Sequence, residues 1–258
     1  ILQHPTIVEL AAEIERSTFD GDDLVELNRG EGGSPLFFLH TLGGQLLYTR
    51  NIIDHLDDRQ PVFGVQQSAS SDWLASMNDF SALARRYVDA IRTVQHHGPY
   101  RLTGYSYGGQ LAHEIACQLR KEDESVSQLA IIDTGVRLSQ LPVRPKRFSV
   151  AWTARFLNNL PNWFRDDLMR SSLQSVLYRI RLSWQRCLHF AGMRPGGDSH
   201  RRIEDFFSDD EILPQLRERM AKNLELLNHH SQHTYDGPLT IIKSQARPLF
   251  ELCPPEEG

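Results

Sequence analysis

The sequence predicts an α/β fold: a mostly parallel sheet flanked by helices. Three observations carry that prediction. Short apolar runs alternate with amphipathic stretches, the rhythm of strands and helices taken in turn. One run, Leu129-Ala-Ile-Ile-Asp133, is nearly all apolar, as a strand covered on both faces must be. The pentapeptide Gly104-Tyr105-Ser106-Tyr107-Gly108 lies between a strand signal and a helix signal.

Taken in order, Leu36–Leu39 is a short apolar run that enters the glycine loop His40–Gly44, so it reads as a strand ending in a loop. Gln45–Leu56 can form a helix, and Val62–Val65 reads as a second strand. The clearest helix spans Asp79–Gln95. Its Phe80, Leu83, Ala84, Tyr87, Val88, Ile91 and Val94 recur at spacings of three and four and share one face. Gly98-Pro99 stops it. Tyr100–Thr103 reads as a strand, Gly104–Gly109 as a tight turn, and Gln110–Leu119 as a helix with Leu111, Ala112, Ile115, Ala116 and Leu119 inward. Leu129–Asp133 is the next strand. From about 140 to 234 no strand signal stands out. Helical stretches follow one another there: Ser149–Asn159, Asp167–Phe190 and Pro214–His229, with Trp152, Phe156, Trp163, Phe164 and Trp184 among them. A helical insertion between two sheet strands is expected to be a lid, with Gly192–His200 as a loop inside it. Most of its aromatic rings are read as packing within the lid itself. Leu239–Ile242 then resumes the sheet.

Composition narrows the classes of function. The 258 residues, 40% hydrophobic and 24% charged, suit one large α/β domain. A net charge of −5 offers no basic face for nucleic acid. No apolar run reaches the roughly 18 residues that a membrane span needs. Residues 1–13 lack the basic start and apolar core of a signal peptide. Cys117, Cys187 and Cys253 are far apart and odd in number, so neither disulfides nor a zinc site is expected, and a reducing cytoplasm fits. No intrinsic cofactor or metal is expected.

The glycine-flanked serine points to nucleophilic chemistry. At a sharp strand-to-helix turn the hydroxyl of Ser106 projects away from the backbone, and glycines two positions away avoid a clash. The N–H of Tyr107, at the start of a helix, can donate to an oxyanion. A second donor is expected from the loop after the first strand, with the Thr41 N–H as the candidate. Asp133 ends the strand after the nucleophile helix, at the same sheet edge as Ser106, where a triad acid belongs. Asp133-Thr134-Gly135 is also a good turn, so a turn-forming role stays open.

With these residues in place, the chain resembles the type I thioesterase domains that terminate nonribosomal peptide and polyketide assembly lines, which are α/β-hydrolase folds. Pro35-Leu-Phe-Phe-Leu-His40 with Gly43-Gly44 is similar to the family's first strand and oxyanion loop. Leu102-Thr-Gly-Tyr-Ser-Tyr-Gly-Gly109 resembles its nucleophile elbow, Leu129-Ala-Ile-Ile-Asp-Thr134 its acid strand, and Tyr235-Asp-Gly-Pro-Leu-Thr240 the strand after its lid. The resemblance implies Ser106 as nucleophile, Asp133 as acid, and Thr41 and Tyr107 as oxyanion donors. It implies an acyl or peptidyl thioester delivered on the 4'-phosphopantetheine arm of an upstream carrier domain, and release by water or by an internal nucleophile that closes a ring. Gln3-His-Pro-Thr-Ile-Val-Glu-Leu-Ala-Ala12 resembles the last helix of such a carrier, though an ordinary amphipathic helix reads the same way. Residues 1–13 are thus read as carrier tail, 14–34 as linker and 35–258 as the hydrolase domain.

The family's histidine follows one further strand, and here no histidine follows His233. The chain is therefore expected to stop before its catalytic histidine, with the last strand and helix missing, and to be nearly inactive by itself. His40, His113, His229, His230 and His233 are the substitutes to be weighed. His113 lies seven residues along the helix from Ser106, about 10 Å at 1.5 Å per residue, His40 is expected to shape its loop, and the last three are expected to be solvated or capping. A free-standing esterase or lipase, and a non-catalytic docking domain with a degenerate triad, are the alternative readings.

Overall fold

The structure, a computed structural model, describes residues 23–67, 77–134 and 214–243, with scattered single positions between 150 and 169. The chain divides into two units: residues 1–136 with 212–242, and residues 137–211 with 243–258. The sheet belongs to the first. Its strands are β1 (Leu24–Asn28), β2 (Leu36–Leu39), β3 (Val62–Val65), β4 (Tyr100–Tyr105), β5 (Val126–Ile132) and β6 (Leu239–Ile242). Their order across the sheet is β1-β3-β2-β4-β5-β6. β1 runs antiparallel to β3 and the remaining pairs are parallel.

The central strands are apolar because helices cover both faces. Every residue of β2 is buried. Helix α2 (Phe80–Val94) and helix α3 (Tyr107–Lys121) form around the sheet. Asp79 caps α2, its carboxylate accepting from the Ala82 N–H at 2.6 Å. Phe80, Leu83, Ala84, Tyr87, Val88 and Ile91 of α2 pack with Leu111, Ala112, Ile115, Ala116 and Leu119 of α3 in the main core. A second core of Leu36, Phe38 and Val62 is covered by Leu27, Leu46, Tyr48, Ile52, Ile53 and Leu56.

Several expectations need correction. The segment 14–34 was expected to be linker, yet Leu24–Asn28 pairs with β3 as an edge strand. Its five residues are only half buried and carry a bulge between Glu26 and Asn28, so alternation is too weak to read. Gln45–Leu56 is not one helix. A 3-10 turn at Leu47–Thr49 runs into a single α-helical turn, α1 (Arg50–Ile53), after which the N–H groups of Asp54, His55 and Leu56 close back onto Arg50, Ile52 and Ile53. Val94 was expected on the buried face of α2 but is 39% exposed, because the helix ends there and leaves the core. The expected lid, about 140–234, ends too late. Helix α4 (Pro214–His229) falls in the sheet's own unit, burying Met220, Leu224 and Leu226, and Leu226 joins the main core. The expected helices at Ser149–Asn159 and Asp167–Phe190, the aromatic residues other than Phe164, the loop at Gly192–His200 and the carrier-like helix at 1–13 lie outside the described residues or touch them at single positions.

Truncating a side chain in α4 tests its place in the core. Leu226→Ala should lower the unfolding free energy by about 2–5 kcal/mol, measured by urea denaturation. A lid helix outside the core would leave the urea midpoint nearly unchanged.

Candidate active site

The parallel register brings the C-terminal ends of β2, β4, β5 and β6 to one edge of the sheet. Leu39 pairs with Gly104, Tyr105 with Ile132, and Ile132 with Ile242. Ser106 is the single residue between β4 and α3. It has φ 55° and ψ −115°, and it is exposed. A non-glycine residue at positive φ costs roughly 1–3 kcal/mol and persists only where its surroundings enforce it. Here they do. The Ser106 N–H donates to Ile132 O at 2.9 Å, and the Thr134 hydroxyl donates to Ser106 O at 2.9 Å and to Ile132 O at 3.0 Å. A Cβ on Gly104 would overlap the Gly108 carbonyl, one on Gly108 would overlap Leu39 O and His40 O, and one on Gly109 would overlap the Thr134 side chain. The glycines therefore serve close approach between β2, the turn and β5.

Tyr107 opens α3, and the first N–H groups of a helix have no intrahelical acceptor. Its N–H thus lies beside Ser106 as expected, while its ring is buried against His40 and Phe80. The loop after β2 is also where the sequence places it. The Thr41 N–H, however, donates to Gln45 O at 3.2 Å within the loop. To serve an oxyanion, that bond has to open. Two further residues hold the loop, and the sequence gives no sign of them. Tyr48 donates its hydroxyl to Leu39 O at 2.7 Å. Asn223, buried on α4, donates to Leu42 O at 2.8 Å and exchanges hydrogen bonds with the Gln67 amide at 2.9 and 3.1 Å. Its partners lie 156 and 181 residues away, beyond any spacing pattern.

Asp133 follows β5 directly, one strand over from Ser106, and is exposed with φ 47°. Its N–H donates to Ile242 O at 2.8 Å. Burial, then the Asp133 charge, raises the pKa of the neighbouring Tyr105 hydroxyl. The sequence reading and the structure thus bring Ser106, Tyr107 and Asp133 to one sheet edge.

The buried histidines are engaged elsewhere. His40 is fully buried, with Nδ1 2.6 Å from Thr41 O and Nε2 2.7 Å from the Tyr87 hydroxyl. A carbonyl only accepts, so Nδ1 carries the proton and Nε2 accepts from Tyr87. Burial pushes the His40 pKa down to about 4. It shapes the loop, as expected. His113 packs beside Cys117 and the Tyr235 ring. Burial pushes the Cys117 thiol up to about 12, so it is inert. His229 points Nδ1 at Glu225 O. His230 and His233 were expected to be solvated or capping; both instead contact the buried carboxylate of Glu114. Burial raises the Glu114 pKa, but hydrogen bonds from His230, His233, Gln118 and Ser81 outweigh it and hold it at about 2.

A family model described as thioesterase domain matches residues 34–236. The non-reducing polyketide synthase crz7 of Cladonia metacorallifera is 33% identical over 220 residues, covering 83% of this chain and 10% of that protein. Malpinin synthetase of Mortierella alpina is 34% identical over 138 residues, covering 52% and 2%. Indigoidine synthase of Dickeya dadantii is 25% identical over 252 residues, covering 95% and 16%. The chain thus spans a small part of these curated relatives. Among solved structures, the four-domain nonribosomal peptide synthetase holo-AB3403 aligns with TM-score 0.59 at 20% identity, over 94% of this chain and 18% of that one. The type II thioesterase BorB aligns with TM-score 0.50 at 16% identity, over 89% and 80%. These likenesses establish the α/β-hydrolase fold. No helix among the described residues is long and apolar enough to cross a membrane.

Two stability measurements follow from the site. His40 has a folded pKa below its unfolded one, so as pH falls from 6.5 to about 4 the unfolded chain takes up a proton that the folded chain refuses. That window should cost roughly 3 kcal/mol at 1.36 kcal/mol per unit. His40→Gln should flatten the fall in urea midpoint over this window. His113, lowered chiefly by burial, contributes part of the remaining slope, and Glu114 acts lower, between 4.5 and about 2. Separately, Gly108→Ala should destabilise the fold by about 1–3 kcal/mol, since its methyl group meets backbone rather than a movable side chain.

Proposed function

The chain belongs to the thioesterase domain family, and on that premise we propose that it releases an acyl or peptidyl chain from the phosphopantetheine arm of a carrier domain through an ester on Ser106. The observation that carries the proposal is the strained Ser106 backbone, φ 55° and ψ −115°, at the junction of β4 and α3. Strain of this kind persists where a group must be presented, and here the presented group is an exposed hydroxyl.

In the first step Ser106 Oγ attacks the thioester carbonyl. Its proton passes to a general base and from there to the departing thiolate, which leaves as pantetheine thiol. The Tyr107 N–H, joined by the Thr41 N–H once its loop bond opens, receives the charge that develops on the carbonyl oxygen. Asp133 orients the base and stabilises its protonated form. In the second step water, or a hydroxyl or amine of the acyl chain itself, attacks the ester and restores Ser106. Water gives a free acid and an internal nucleophile gives a ring. The same proposal makes residues 1–13 the tail of the delivering carrier domain. The linker then ends where β1 begins.

The base is assigned to none of His40, His113, His230 and His233, whose rings have partners of their own. The finer reading is that none of the described histidines is the base, His229 Nδ1 facing Glu225 O, and that turnover is slow without one. Loss of a triad base costs roughly 10⁴-fold or more.

Turnover of an acyl-pantetheine thioester, with and without free imidazole, tests both levels. Slow release that imidazole accelerates, and that Ser106→Ala abolishes, is the expected result; Asp133→Asn should lower it further. Product mass then separates hydrolysis from ring closure. Fast release indifferent to imidazole would mean that a histidine of this chain is the base. No release under any condition would leave the non-catalytic docking reading in its place.

A further inference from the structure

Away from the serine, one group of chemistry-bearing side chains takes no part in the proposed reaction. Glu114 lies on α3, eight residues beyond Ser106, or about 12 Å at 1.5 Å per residue. Its side chain is 1% exposed. His230 and His233 follow the end of α4. His230 Nε2 lies 3.3 Å and His233 Nδ1 2.8 Å from the same oxygen, Glu114 Oε2. The other oxygen, Oε1, accepts from Gln118 Nε2 at 3.0 Å. Gln118 in turn donates to Ser81 O at 2.9 Å, which ties the carboxylate to α2. One carboxylate oxygen is therefore held by neighbours while the other faces two imidazoles.

We propose that Glu114, His230 and His233 form a site for one divalent transition-metal ion of the zinc type. Two imidazole nitrogens and a carboxylate oxygen are a donor set that zinc-class ions favour. Bonds of about 2.1 Å at the tetrahedral angle put ligand atoms about 3.4 Å apart. Here the three ligand atoms lie within 4.8 Å of one another, and the two measured pairs are at 3.3 and 2.8 Å. His233, with a side chain 40% exposed, is free to adjust and leaves a solvent path for the ion. Gln118 supplies the outer hydrogen bond that orients a ligating carboxylate. Phe80 packs its ring 4.7 Å from that of His230 and limits how far this imidazole can turn.

The wide spacing of Cys117, Cys187 and Cys253 predicts no zinc site. The ligands here are a His-x-x-His pair and a glutamate 116 positions earlier, which only the packing of α3 against the end of α4 brings together. Bound metal would join the helix that begins beside Ser106 to the segment leading into β6. The site is separate from the proposed acyl transfer, so its test does not depend on turnover.

The untagged chain is first stripped with chelator and dialysed against Zn²⁺, and bound metal per chain is measured by elemental analysis. Co²⁺ is then titrated while the visible d–d bands are recorded. One Zn²⁺ per chain, intense Co²⁺ bands of a tetrahedral N/O site, and a rise in Tm with Zn²⁺ are expected. His233→Asn and Glu114→Gln each remove a ligand to the ion, so each should weaken binding by more than the roughly 100-fold that loss of an outer hydrogen-bond partner costs. Circular dichroism checks that both remain folded, and His233→Asn changes a half-exposed side chain that leaves the core intact. Metal well below one per chain, or binding that both variants retain unchanged, would overturn the proposal and leave the three side chains as a hydrogen-bonded trio only.

Discussion

The left-handed backbone of Ser106 organises what surrounds it. A serine there is unfavourable by itself, so the neighbouring chain has to hold it from several directions at once. β5 supplies Ile132 O to its N–H and the Thr134 hydroxyl to its carbonyl. β2 comes so close that Gly108 can carry no side chain. These requirements set the register of three parallel strands, since a shift of one residue would misplace each contact. They also explain why the elbow is rich in glycine: the crowding comes from backbone atoms that cannot move aside.

The loop opposite the serine depends on a different part of the chain. α4 carries Asn223, which binds the Leu42 carbonyl and pairs with Gln67. His40 holds the start of the loop between Thr41 O and Tyr87. Both are buried polar groups with satisfied partners, so each fixes one arrangement more firmly than an apolar side chain would. The end of α4 then leads to His230 and His233, which meet Glu114 on α3. A helix expected to belong to a cover thus braces the loop beside the serine and the helix that follows it.

Much of this was legible in the residues. β2, β3 and β6, helix α4 and the span of α2 lie where periodicity and apolar runs put them, because those signals are local. The elbow was legible too, since glycine spacing records a steric need within a few residues. β1 was missed because a half-buried edge strand leaves little pattern in five residues. Gln45–Leu56 can form a helix on its sequence, but its apolar residues cover the second core as a broken turn rather than a continuous face.

The sequence by itself determined the sheet's parallel rhythm, the serine turn, the place of Asp133 one strand over and the family likeness. All are encoded within single elements or short motifs. Tertiary structure decided the rest: that α4 is core, that Thr41 is turned onto its own loop, that Asn223 supports that loop, and that Glu114 meets two histidines more than a hundred residues away. Those facts depend on which faces pack together across long separations. No periodicity along one segment records the partner that its side chains will meet.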